Sequence, residues 1–260
     1  MDGVLWRGDT PMPGLREFFG FLEQAQIGYV LATNNATKTA EMYEEKISGF
    51  GVKIPAKYIL NSAEATARYL RHNYPDSHLA YIVGEAGLQN AMRDQNFTII
   101  NSDGFIGNSV EADVVVVGFS RHFTYPQLAS AAHLINGGAK FIGTNPDVTI
   151  PTEYGSLPGA GSLLAYIKTA TGQDPIVIGK PNLPLFEEAL HVLKSTPETT
   201  AMVGDRLNTD IAGGQSAGLK TILLLSGITK REDLIDSPVQ PDCVLEDLSA
   251  LKIFLSTAAA

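Results

Sequence analysis

The chain has 260 residues, 44% of them hydrophobic and 18% charged, with a formal net charge of −9 at pH 7. That length can bury one large core or two, and the composition is that of a globular protein. The acidic balance argues against a nucleic-acid or anionic-membrane surface, and no apolar run is long enough to span a bilayer.

The chain opens on Asp2-Gly3-Val4-Leu5 without a basic and then apolar leader, so a cytoplasmic protein is expected. A helix is predicted over 13–26, with Leu15, Phe18, Phe19, Leu22 and Ala25 on one face. A short strand over 29–32 runs into Thr33-Asn34-Asn35, followed by a helix over 39–50. Such a junction binds an anion through backbone N–H groups, or is an N-cap cluster and nothing more. A strand over 58–60 comes next, then Ser62 as the expected cap of a helix over 63–73. The polar break Tyr74-Pro75-Asp76-Ser77 suggests a boundary, dividing the chain into 1–76, 77–178 and 179–260.

Strands are predicted over 79–83, 97–100, 113–118 and 140–143, with helices over 85–94 and 124–136. The four valines at 114–117 mark a strand buried on both faces. The stretch 144–161 is rich in Pro, Gly and Thr and reads as a long loop. A helix over 162–171 and a strand over 174–178 lead to Gly179-Lys180-Pro181 and a helix over 183–194. A strand over 199–203 stops at Gly204-Asp205; Asp210 then precedes a helix over 211–217 and a strand over 221–225. The following stretch is charged and poorly periodic, and a helix over 247–255 ends the pattern. Cys243 stands alone and reads as a small buried hydrophobe. The histidines lack metal-ligand spacing.

Strands alternating with helices predict an α/β fold, a doubly wound parallel sheet with helices on both faces. In such a sheet the ends at Asp2, Thr33, Lys180 and Asp205 could converge on one edge. Two close carboxylates, Asp205 and Asp210, repel unless a proton or cation neutralises them, and oxygen ligands suit Mg²⁺. The bland alternative is that they turn the chain and cap a helix. Acids able to hold Mg²⁺, beside a lysine, a hydroxyl and amides able to hold phosphate, make a site for phosphoryl transfer.

With these stretches in order, the chain resembles the haloacid dehalogenase superfamily phosphatases, in the Rossmann-like subfamily IIA of 4-nitrophenylphosphatases and phosphoglycolate phosphatases. Asp2-Gly3-Val4-Leu5 is similar to the first motif from its second aspartate onward, and Thr33-Asn34-Asn35 to the second. Gly179-Lys180-Pro181 is similar to the third, and Gly204-Asp205 through Asp210 to the fourth. Thr144-Asn145-Pro146-Asp147 and Pro158-Gly159-Ala160-Gly161-Ser162 resemble stretches of that subfamily's cap.

The resemblance implies an inserted α/β cap of the C2 type over 77–178, Mg²⁺ as cofactor, a small phosphorylated metabolite as substrate and a homodimer formed through the cap. It implies Asp2 as general acid and base, with its backbone carbonyl on the metal. Asp205 and Asp210 would be metal ligands, the second directly or through water. Thr33, the Asn34 N–H and Lys180 would hold the phosphoryl group, Lys180 also serving catalysis. Asn145, Asp147 and Gly159 in the cap would help choose the leaving group.

The family nucleophile stands two positions before the acid/base aspartate, which here falls before Met1. The strand that carries it falls there too. Either the sequence starts at an internal methionine, or the protein is a non-catalytic binder of phosphorylated metabolites. Retention of the downstream residues favours the first.

Overall fold

A computed structural model describes residues 1–102, 104–105, 107, 110–152 and 154–258. After a tight turn the chain forms an antiparallel hairpin of β1 (Trp6–Arg7) and β2 (Thr10–Pro11). Two-residue strands leave no alternation to read, so the sequence pattern missed them. Helix α1 (Leu15–Gln24) buries Leu15, Phe18, Phe19 and Leu22, the stripe that its spacing predicts. Then come β3 (Leu31–Thr33), α2 (Ala40–Gly49), β4 (Ile59–Asn61) and α3 (Ser62–Asn73). The cap of α3 is not Ser62 but Asn61, whose side chain accepts from the Glu64 N–H. Ser62 is therefore free to point its hydroxyl elsewhere.

The middle of the chain alternates: β5 (Leu79–Val83), α4 (Ala86–Asp94), β6 (Thr98–Ile99), β7 (Val114–Val117), α5 (Tyr125–Asn136) and β8 (Lys140–Gly143). The expected long loop contains an antiparallel hairpin, β9 (Thr149–Thr152) and β10 (Gly155–Pro158). Its Pro, Gly and Thr content hid the alternation. Helix α6 (Ala160–Thr171) and β11 (Ile176–Val177) follow. The last part holds α7 (Leu183–Leu193), β12 (Ala201–Gly204), α8 (Ala212–Ser216), β13 (Lys220–Leu224), β14 (Cys243–Leu245) and α9 (Leu248–Ala258). Strand β14 lay hidden in the charged stretch, and Cys243 on it is half-buried rather than buried.

Contacts divide the chain into two units. The first comprises Met1–Ala32, Ala40–Ile59 and the chain from Lys180 on; the second comprises Thr33–Thr39 and Leu60–Gly179. Segments 33–39 and 60–76, placed by sequence with the first part of the core, thus group with the middle of the chain.

The second unit carries a sheet of five parallel strands in the order β11-β8-β7-β5-β6. Val114 to Val117 are wholly buried in it, as their run predicts. The first unit carries β12-β13-β14, parallel, with Met202 opposite Thr221 and Leu223 opposite Val244. β3 pairs with β4 in a separate sheet. Both residue stretches 29–32 and 201–203 line an apolar cavity of about 580 Å³ in the first unit. Phe18, Leu22, Phe186 and Leu251 form more of its wall, and Lys180 and Asp210 also reach it. Among the described residues no helix is long and apolar enough to cross a membrane.

Candidate active site

Strand β12 ends at Gly204, and the two carboxylates after it fold back on one another. Residues Leu207–Ile211 form a widened π turn before α8. In it the Ile211 N–H reaches the Arg206 carbonyl, five residues back, at 3.2 Å. The turn brings the Asp210 side chain over the start of its own loop. Asp210 Oδ2 accepts the Asp205 N–H at 3.0 Å and the Arg206 N–H at 3.2 Å. A Cβ at Gly204 would stand 2.2 Å from the Asp210 Cβ, so only glycine fits there.

Asp210 Oδ1 takes the Lys180 Nζ at 2.7 Å, in a pair with both side chains buried. Burial works to raise the Asp210 pKa. The charge and hydrogen bond of Lys180 outweigh it and hold the carboxyl below its ordinary range. Among the described residues no side-chain cation pairs with Asp205. Its Oδ2 accepts the Ile228 N–H at 2.9 Å, and its carbonyl accepts the Thr229 N–H at 3.0 Å. Burial holds its carboxyl above the ordinary range and the charge of Asp210 adds to that, against the Ile228 N–H. Two glycines wall Asp205 in: a Cβ at Gly3 would lie 2.3 Å from Oδ2, and one at Gly227 2.1 Å. Gly3 has φ 76°, a conformation that glycine adopts at little cost. Asp2, just before it, is exposed on the turn that precedes β1.

Asp2, Lys180, Asp205 and Asp210 thus belong to the first unit, the last three in direct or one-residue contact. The donor set fits a hard divalent cation. It is made of carboxylate oxygens, and Asp205, without a side-chain cation pair among the described residues, is an acid whose charge burial disfavours and a cation would favour. Sequence reading missed the loop 226–229, which closes on Asp205. Ser226 Oγ donates to the Gly3 carbonyl at 2.8 Å and so ties this loop to the first turn. The available signal was Ser226-Gly227 directly after an apolar strand, the same arrangement as Gly204 after β12.

Thr33, Asn34, Asn145, Asp147 and Gly159 belong to the second unit. The Thr33 Oγ1 accepts the Asn35 N–H at 3.3 Å, leaving its own hydrogen to donate. The Asn34 Nδ2 donates to both carboxylate oxygens of Asp147 at 3.3 Å. Gly159 is buried, and a Cβ there would stand 2.4 Å from the Asp147 carbonyl oxygen. It therefore shapes the β8–β9 connection by lacking a side chain.

A strand end carrying paired acids and a buried lysine has the charges to hold a cation and an anionic oxygen together. Residues 1–98 match the family model of haloacid dehalogenase-like hydrolases, and residues 177–251 match a second HAD hydrolase model. A dihydroxyacetone phosphatase of Corynebacterium glutamicum is 36% identical over 251 residues, 96% of this chain and 88% of that protein. A 5'-nucleotidase of Bacillus subtilis is 34% identical over 249 residues, 96% of this chain and 94% of that one. The solved p-nitrophenyl phosphatase of Archaeoglobus fulgidus superposes with a TM-score of 0.89 at 30% identity, covering 97% of this chain and 96% of its own. The chain belongs to the haloacid dehalogenase superfamily of phosphatases, in subfamily IIA with the p-nitrophenyl phosphatases. That family is one of metal-dependent phosphatases.

Proposed function

We propose that the protein is an Mg²⁺-dependent phosphomonoester hydrolase acting on small phosphorylated metabolites through an aspartyl-phosphate. The observation that carries this is the buried cluster of Lys180, Asp210 and Asp205 at the end of β12. Relatives named for dihydroxyacetone, 5'-nucleotide and p-nitrophenyl substrates support the substrate class.

Asp205 and the Asp2 carbonyl would hold the metal. Asp210 acts through water, since both of its oxygens already accept hydrogen bonds. When bound, Mg²⁺ offsets the charge of the phosphoryl oxygens and of the attacking acid. Thr33, the Asn34 N–H and Lys180 take those oxygens. The attacking aspartate, which the family resemblance places two positions before Asp2, would form the bond to phosphorus as the bond to the leaving oxygen breaks, and Asp2 would protonate that oxygen. Asp2 then takes a proton from the water that attacks the aspartyl-phosphate, releasing inorganic phosphate and the free carboxylate. The stretch 145–162 selects among leaving groups.

The test is the initial rate on 4-nitrophenyl phosphate with Mg²⁺ for three proteins. They are residues 1–260, the same chain extended by an apolar strand ending in Asp before Met1, and that extension ending in Asn. Turnover is expected from the Asp extension alone. Equal turnover with and without that extension would mean another group attacks. A silent Asp extension, across a broad panel of phosphate esters, would favour a non-catalytic binder.

A further inference from the structure

We infer that Asn145 is a positioning residue, one that fixes the Asn34 peptide so that the Thr33 hydroxyl and the Asn34 N–H stay aimed at a phosphoryl group. The inference rests on the proposed reading of Thr33 and Asn34 as phosphate donors. The Asn34 carbonyl accepts two hydrogen bonds, from Ser62 Oγ at 2.5 Å and from Asn145 Nδ2 at 2.9 Å. Both donors are buried, Ser62 wholly and Asn145 at 4% exposure. They come from separate elements: Ser62 opens α3, and Asn145 follows β8. A carbonyl oxygen has two lone pairs, and here both are filled.

Asn145 spends both of its amide hydrogens inside the protein. Its Nδ2 also donates to Thr144 Oγ1 at 3.2 Å, and its Oδ1 accepts the Asp147 N–H at 3.1 Å. That acceptor role also fixes which way the amide faces. Asp147, held in turn, receives the Asn34 side chain on its carboxylate. Gly179 permits the closeness: a Cβ there would lie 2.8 Å from both Asn34 Oδ1 and the Asn145 Cβ. At the far end of the segment, Asn61 Nδ2 donates to the Lys38 carbonyl at 3.0 Å.

The segment 33–39 is therefore clamped at residues 34 and 38. With the Asn34 carbonyl fixed on one side and β3 fixing Thr33 on the other, the N–H between them cannot swing. Donors that need no reorganisation bind a developing charge better than mobile ones. Asn145 thus contributes at the phosphate end of the substrate, although it lies in the stretch that resembles the cap's selectivity loop.

The experiment is calorimetric titration of the Mg²⁺-loaded protein with inorganic phosphate, at a temperature well below every variant's Tm. The variants are Asn145→Ala, Asn145→Asp, Ser62→Ala, the double Ser62→Ala/Asn145→Ala, and Thr33→Ala. Asn145→Ala and Asn145→Asp should each weaken phosphate binding roughly five- to tenfold, the range of one lost hydrogen bond. Ser62→Ala should act in the same direction, and the double variant should depart from the product of the two singles because they share one acceptor. Ser62→Ala also keeps the test open if the Asn145 variants do not fold. A lowered Tm with unchanged phosphate affinity in both Asn145→Asp and Ser62→Ala would reduce these residues to scaffold and overturn the inference. Unchanged affinity in Thr33→Ala would instead overturn the phosphate-site reading on which it rests.

Discussion

The two units are built from the same α/β alternation, yet their sheets differ. In the second, β7 has a parallel neighbour on each side, and its four valines have no exposed surface. In the first, β12 pairs only with β13 among the described residues, and Met202 and Val203 on it are half-buried. The open side of β12 borders the apolar cavity, and the polar cluster stands at its end. The finished sheet is a scaffold whose chemistry, if any, comes from its loops. The open one carries Lys180 and Asp210 beside a hydrophobic space; burial holds the Asp205 carboxyl up, whereas Lys180 outweighs burial and holds Asp210 down.

The largest effect should come from adding a strand along the open edge of β12. An apolar strand of about five residues before Met1 should raise Tm, by ~3–5 kcal/mol of added stability once the strand's ordering cost is subtracted. Chemical denaturation of the extended and unextended chains reads this directly. No gain, with the extension shown to be disordered by amide exchange, would mean that the cavity does not take a strand.

Breaking the Lys180–Asp210 pair should come next. Lys180→Met leaves Asp210 buried without its cation and should cost about 3–5 kcal/mol in the metal-free protein. Added Mg²⁺ should recover part of that loss, whereas phosphate affinity should stay low. Equal Tm for the parent and Lys180→Met would place the pair outside the energetics of the fold.

Asp205→Asn should act in the opposite sense. A carboxyl whose pKa is raised on folding makes the folded state take up protons. Its stability contribution is therefore unfavourable at neutral pH and fades as pH falls toward the unfolded value of 3.8. Asp205→Asn should thus leave metal-free Tm at pH 7 unchanged or higher, with less gain on acidification, while weakening Mg²⁺ binding at least about tenfold. A collapse of metal-free stability with intact Mg²⁺ affinity would make Asp205 a structural cap.

The smallest effects concern two aspartates that hold strand starts, one in each unit. Asp113 Oδ2 accepts the His78 and Leu79 N–H groups at 2.7 and 2.8 Å, and the Leu79 bond leads in holding its pKa below the ordinary range. Asp242 receives Lys220 Nζ and both the N–H and hydroxyl of Thr221, and its pKa falls to about 2, the Lys220 bond contributing most. Depressed carboxyls stabilise above the unfolded pKa and lose that contribution as pH falls through the folded one. Tm of Asp113→Asn and Asp242→Asn should therefore fall less than the parent's between about pH 4 and 2. Parallel acid profiles for parent and variants would show that neither bond contributes.

How much of this was legible depended on period and length. The valine run of β7 and the stripe of α1 gave their elements because burial imposes a pattern on residues of one kind. The hairpins β1–β2 and β9–β10 and the strand β14 were missed, being short or rich in turn-forming residues. At the site, Asp205, Asp210 and Lys180 stood out because charged residues directly after apolar strands conflict with simple burial. Ser62 was read as a cap and Gly227 was not singled out. Their roles depend on partners 28 and 22 residues away, Asn34 and Asp205, and a sequence pattern carries no such pairing.

The widened turn at 207–211 makes the spacing of this region a matter of counting. Upstream it must return Asp210 to Gly204. Downstream it must deliver Gly213 against Phe186, where a Cβ would stand 2.5 Å from the ring, and Gly214 against Met202 and Thr221. Each residue of an α-helix advances the chain by about 100°. Loss of one residue between 205 and 213 would tighten the turn and rotate one of these faces away from its partner. In this chain, deleting one residue between Asp205 and Gly213 should therefore cost more stability than deleting one in the charged stretch before β14.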